Sequence, residues 1–167
     1  MVVTEIDQID HLWDKFTDIY EKNITSFNKA IAAMEVLRDL DAVDATLEVN
    51  KTILLWRATM LLYVGTQLSE DNQFSSAIAM FRASLELDAD RFETFEAILR
   101  CHLKNGDRRE AESFLEEVPC NITQRREYEF AKFLASNFVV LPKPLSHDVA
   151  NALLESPPRL SVKKNLN

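Results

Sequence analysis

Gly65 and Gly106 are the only two glycines in 167 residues. Hairpin turns and phosphate-cradling loops use glycine wherever the backbone must take a positive φ. A chain this long with so few is not expected to form a sandwich, a barrel or a Rossmann unit. Helices joined by short connections tolerate the shortage, which points to an all-α fold. From Thr4 to Asp39 there is neither glycine nor proline, and apolar residues recur at spacings of three and four. Ile6, Ile9, Trp13, Phe16, Tyr20, Phe27, Ala30, Met34 and Leu37 fall on one stripe that breaks at Asn23. This is helical periodicity, in one long helix or in two hinged near Asn23. The stripe reads as a face packed on the domain, or as a homodimer seam through the N-terminal helices. Trp and Phe are bulky for a regular two-stranded coiled coil, which weighs against the seam.

Around Asp39, Asp41 and Asp44 the pattern stalls, as at a helix junction. A second periodic segment runs from Ala45 to Ser69, so dense in apolar residues that it must be buried on several sides. Lys104-Asn105-Gly106-Asp107 reads as a helix stop and restart, with Gly106 supplying a left-handed residue and Asp107 able to cap the next helix. A further helix is expected over 123–136, and Pro142 and Pro144 break the chain beyond it. The whole reads as a single helical domain over 1–155, with N-terminal helices in 4–57 and a disordered basic tail over 156–167 that carries Arg159, Lys163 and Lys164.

The net charge of −8 argues against nucleic acid, whose phosphates need Lys and Arg to neutralise them. It argues equally against an anionic membrane surface, and no apolar run is long enough for membrane insertion. Cys101 and Cys120 form no CxxC pair, and with His11, His102 and His147 they offer no metal spacing. Neither metal nor cofactor is expected. Reduced thiols in a cytoplasmic setting are the default. The glycosylation-type tripeptides at Asn23, Asn50 and Asn121 follow no secretory signal and are expected to be chance matches. An enzyme is not expected either. Cys101 and His102 are adjacent on a helix and point about 100° apart, and no glycine-rich phosphate loop exists.

Ala77 and Ala111 are separated by ~34 residues, and the same offset carries Leu61 onto Phe95, Val64 onto Ile98 and Phe81 onto Leu115. Leu61, Val64, Gly65, Leu68, Ala77 and Phe81 form one copy, over 58–91; Phe95, Ile98, Leu99, His102, Ala111 and Leu115 form a second, over 92–125. In these residues the chain resembles the tetratricopeptide repeat (TPR) family. The second copy departs from the pattern at Leu99, which holds the glycine slot. Carried upstream, the offset reaches Phe27, Ala30, Ile31, Val43 and Leu47, where two small-residue slots hold Ile31 and Val43.

The resemblance implies a tetratricopeptide-like array of helical hairpins, a right-handed α-solenoid with flanking capping helices, whose first helices line a concave groove. It implies groove positions at Thr59, Leu62, Tyr63, Thr66 and Glu70 in the first copy, and at Glu93, Glu96, Ala97, Arg100 and Lys104 in the second. The function implied is protein–protein interaction, as an adaptor or scaffold that holds a partner protein or peptide. Relatives that grip acidic C-terminal tails line the groove with Lys and Asn. Here those places hold Leu62, Thr66, Ala97 and Arg100, so that mode is not expected. The stretch from Arg91 to Leu115 is also similar to the last repeat of cytoplasmic chaperones of type III secretion systems, which implies a second role, holding a secreted subunit. A third is a structural subunit assembled through Trp13, Phe16 and Tyr20.

Overall fold

The first helix, α1 (Glu5–Glu21), starts on a capping box. The Thr4 hydroxyl accepts from the Asp7 amide while the Asp7 carboxylate takes the Thr4 amide at 2.9 Å. Lys22 to Thr25 are non-helical, and the Thr25 hydroxyl accepts from the Asn28 amide to open α2 (Ser26–Asp41). The break therefore lies at Asn23, and the N-terminal periodicity is two helices. Then follow α3 (Leu47–Glu70), α4 (Phe74–Leu87), α5 (Phe92–Lys104) and α6 (Arg108–Phe114), with a 3-10 turn over Leu115–Glu117. This computed structural model describes residues 4–43 and 47–118, together with 133, 136 and 137. Among the described residues there is no strand, so the protein is all-α, and no helix is long and apolar enough to cross a membrane.

The chain divides into two compact units, Met1–Ala111 and Glu112–Asn167. In the second, Phe114, Leu115, Val118 and Phe133 are buried, and the Asn137 side-chain amide donates to the Phe133 carbonyl at 2.7 Å. The rest of the helix expected over 123–136, the end of the second repeat copy and the tail over 156–167 lie outside the described residues.

In the first unit, the successive helices from α1 to α5 run antiparallel. Lys15 of α1 pairs with Asp39 of α2 at 3.0 Å, and Lys29 donates to the Tyr20 carbonyl. Arg57 of α3 pairs with Asp41 at 2.6 Å, while Ser26, at the other end of α2, donates to Glu70. The α3–α4 turn is tight. Asn72 takes a φ of 62°, a left-handed conformation that Asn tolerates better than most side chains. Across this hairpin the Ser84 hydroxyl, fully buried, donates to the Ala58 carbonyl at 2.7 Å. A Cβ on Gly65 would stand 2.5 Å from Cε1 of Phe81, so the close helix crossing exists because position 65 lacks a side chain. At the α5–α6 turn, Gly106 has a φ of 82° as expected. The Asp107 carbonyl accepts the first α6 amide from Ala111, and its carboxylate takes the Asn105 side-chain amide.

One expectation needs correction. The N-terminal stripe is rotated from the one read in the sequence: α1 buries Ile9, Leu12, Phe16 and Ile19, and α2 buries Ala30, Ala33, Val36, Leu37 and Leu40. Ile6, Tyr20, Phe27 and Met34 are exposed instead. The four non-helical residues reset the helical phase, so a stripe continued through Asn23 joins two different faces. The repeat offset carried upstream, already a poor match at Ile31 and Val43, gains no support from the fold. It equates a stretch of α2 with α3, yet α2 is antiparallel to α3, and equivalent helices of a repeat run parallel. The parallel neighbour is α1, whose Trp13 stacks on Trp56 with ring centres 4.6 Å apart while Tyr20 meets Tyr63 at 4.3 Å.

Candidate functional site

Helices α3 and α5 are also parallel, held side by side at two points. Arg91 donates to the Thr59 hydroxyl at 3.1 Å, and the Cys101 thiol lies 3.4 Å from the Ser69 hydroxyl. Each pair is 32 residues apart. Arg91 is fixed in turn by Asp88, at 2.9 Å. One face of each helix then stays partly open. On α5, Thr94, Phe95, Ile98, Leu99 and Cys101 are buried. Glu93, Glu96 and Ala97 are half-buried and Arg100 and Lys104 exposed, within one arc of about 100° at the helical pitch. Arg100 donates to Glu96 at 2.7 Å across one turn. The five expected α5 residues therefore do share a face.

The α3 set divides. Thr59, Leu62 and Thr66 are half-buried on one face, at spacings of three and four, and Leu55, 45% exposed, extends that face by a turn. Glu70 sits at the end of α3, exposed and taken by Ser26. Tyr63 does not line the groove. It is buried between α1 and α3, edge-on to Phe16 at 5.3 Å and against Tyr20. Its position falls about 100° round the helix from Leu62, which turns it to α1. Leu55 and Arg91 were missed by sequence reasoning. The signal for Leu55 was present, four residues before Thr59 on the same stripe. Arg91 shows only as an arginine three residues after Asp88, a common surface pairing.

The aromatic cluster formed by Trp13, Phe16, Tyr20, Trp56 and Tyr63 has a titration consequence. Burial raises the Tyr20 phenol above its ordinary value. Burial, then the neighbouring Tyr20, then Glu70 raise Tyr63. The Tyr63 hydroxyl is buried with no hydrogen-bond partner among the described residues. The folded state thus holds these protons more tightly than the unfolded chain does. The stability they contribute is complete below the ordinary tyrosine value of about 10 and falls as pH rises through the folded values. In an alkaline titration of the tyrosinate absorbance we expect a delayed component, reduced in Tyr63→Phe. Simultaneous ionisation of all three tyrosines at the ordinary value would contradict the burial.

A recess of about 280 Å³ between the start of α1 and the end of α2, lined by Gln8, His11, Leu12, Asp39, Ala42 and Val43, is smaller than a usual ligand cleft, ~300–1,000 Å³. Cys101 is an unbridged buried thiol, and burial, which outweighs Ser69 and Lys104, pushes its ionisation up, away from a nucleophile's requirement. Compared with known proteins, the chain matches no family model, no curated protein and no solved structure.

Proposed function

We propose that this chain is a protein-interaction module of the tetratricopeptide type, an adaptor or scaffold without catalytic activity, which seats a partner polypeptide on the face shared by α3 and α5. The observation that carries this reading is the parallel pairing of those helices, with Leu55, Thr59, Leu62 and Thr66 on one side of the seam and Glu93, Ala97, Arg100 and Lys104 on the other. A lateral register of 32 residues is close to the ~34-residue period of the family. The Gly65–Phe81 crossing is the close approach its small-residue slot requires. On this reading α1 and α2 form an upstream pair that caps the array, and the solenoid is right-handed. The reduced thiol of Cys101 suits a cytoplasmic setting.

The test is copurification from native lysate at moderate salt, comparing wild type with Leu62→Asp combined with Arg100→Ala. Neither side chain is buried, so helicity should be unchanged. A polypeptide retained by wild type and lost by the variant is the expected result. Equal retention by both would remove the binding site from this face. It would favour a second reading, a structural subunit that self-assembles through α2, where Phe27, Ile31 and Met34 are exposed at i, i+4 and i+7.

A further inference from the structure

Helix α1 carries its negative charge on one line. Asp7, Asp10, Asp14, Asp18 and Glu21 fall within an arc of about 80° at the helical pitch. The only lysine of the helix, Lys15, is turned away to Asp39 of α2. All five carboxylates are on exposed residues. Asp7 closes the capping box; the other four make no hydrogen bond or ion pair among the described residues. This row weakens the helix that holds it. Like charges three and four residues apart repel along a helix. Asp18 and Glu21 stand in the last turn, where the carbonyl end disfavours carboxylates, and no basic residue lies in that turn. Lys22 stands beyond the helix, and Lys29 of α2 donates to the Tyr20 carbonyl.

Beside the row runs an apolar edge. Ile6, Trp13 and Tyr20 stand seven residues apart on a line about 21 Å long, about 100° round the helix from the carboxylates. Ile6 is 59% exposed, Tyr20 is 50% exposed and Trp13 is half-buried. On the α3 side Trp13 stacks on Trp56 and Tyr20 packs on Tyr63. Within each pair the rings touch, so neither offers the open slot between aromatic rings that a proline-rich peptide uses. An extended strand turns residues about 10 Å apart to opposite faces. A second α-helix laid alongside α1 repeats every seven residues at the same ~10.5 Å and matches the edge.

We propose that α1 is itself a docking surface, and that its occupant is a basic amphipathic α-helix of a partner protein, about four turns long. Its apolar residues, seven apart, lie on Ile6, Trp13 and Tyr20, and its Lys and Arg side chains face Asp10, Asp14, Asp18 and Glu21. Charge complementarity names the occupant. The apolar edge is bordered along its whole length by carboxylates that no described residue neutralises, and a partner's cations would relieve the repulsion within the row. This surface is separate from the face shared by α3 and α5 and does not rest on it.

The test selects against the full chain, at moderate salt, from a displayed library of peptides about four helical turns long. Leucines are fixed in a heptad pattern and all other positions are randomised. The expected result is enrichment of Lys and Arg beside the leucine seam. By fluorescence anisotropy, one selected peptide should bind about tenfold or more weakly to the variant with Asp10→Asn, Asp14→Asn, Asp18→Asn and Glu21→Gln. Ile6→Asp should weaken it similarly. A variant of equal net charge, with Glu86→Gln, Asp90→Asn, Glu110→Gln and Glu116→Gln, should stay within about twofold of wild type, because distant exposed charges are screened. All the substituted residues are exposed, and circular dichroism checks that helicity is unchanged. Equal losses in the two neutralised variants would reduce the attraction to net charge and overturn the docking surface. Loss in Leu62→Asp without loss in Ile6→Asp would move the peptide to the α3–α5 face and overturn it likewise. Enriched sequences rich in proline, gaining no helix on binding, would overturn the helical occupant. No enrichment at all would overturn the proposal, while the copurification above decides the α3–α5 face separately.

Discussion

Phe81→Ala is expected to lower the stability of the first unit by about 3–5 kcal/mol, the range for truncating a buried phenylalanine. Phe81 is 1% exposed, and its ring lies directly over Gly65 in the α3–α4 crossing. The opposing Gly65 has no side chain to fill the space. The reverse change tests the same contact from the other side. Gly65→Ala places a methyl 2.5 Å from Cε1 and 2.6 Å from Cδ1 of Phe81. The ring must move within a closed core, which costs about 1–3 kcal/mol. The two substitutions are strongly coupled. In the double variant with Phe81→Leu, the Gly65→Ala penalty should shrink, since the smaller side chain leaves room for the methyl. Urea unfolding followed by helical circular dichroism gives all four corners of this cycle. Additive losses would mean that the ring and the glycine do not touch.

Phe16→Ala is the second large effect, again about 3–5 kcal/mol. Phe16 is fully buried in α1 and meets three rings, those of Trp13, Tyr20 and Tyr63, with centres 5.3 to 5.5 Å away. Aromatic pairs of this kind add roughly 0.5–1.5 kcal/mol beyond the area they bury. Since Trp13 stacks on Trp56, the tryptophan emission should shift as the cluster loosens. The control is Phe27→Ala on α2. Phe27 is 41% exposed, and its removal should change stability by less than about 0.5 kcal/mol. Equal losses from the two would mean that the buried face of the N-terminal helices is the continuous stripe of the sequence, not the rotated pair of faces in the fold.

Those two phenylalanines show where sequence reasoning succeeds and where it stops. The α3–α4 hairpin was legible because its constraints are local and chemically narrow. Gly65, Ala77 and Phe81 stand at spacings that make sense only if two helices cross closely. Gly106 and its neighbours specify a turn through backbone conformation alone. The α5 face was legible for a similar reason, since Phe95, Ile98 and Leu99 fix the buried side and leave Glu93, Ala97, Arg100 and Lys104 opposite. The N-terminal half gave no such purchase. α1 and α2 carry apolar residues on more than one face, and a short non-helical segment shifts the phase between them. Counting apolar positions cannot tell Ala33 and Val36, which are buried, from Ile31 and Met34, which are exposed. Tyr63 eluded the sequence because its direction depends on α1, a helix some forty residues upstream. The orientation of the Thr59 and Thr66 hydroxyls, each donating to the carbonyl four residues before it, is likewise invisible in composition.

The order in which helices of the first unit meet also bears on how the chain reaches this structure. α1 meets α2, α2 meets α3, α3 meets α4 and α4 meets α5, with lighter lateral contacts from α1 to α3 and from α3 to α5. No association there requires a distant part of the chain to arrive first. Loops to be closed are short, and proteins with this kind of topology reach the native state quickly compared with those built on non-local pairings. The hairpin of α3 and α4 joins its arms through three residues and closes on the Gly65–Phe81 contact. The ring cluster of α1 is completed only by Trp56 and Tyr63 of α3. A nascent chain emerging from synthesis, N-terminus first, would hold α1 without Trp56 and Tyr63 until α3 has been added.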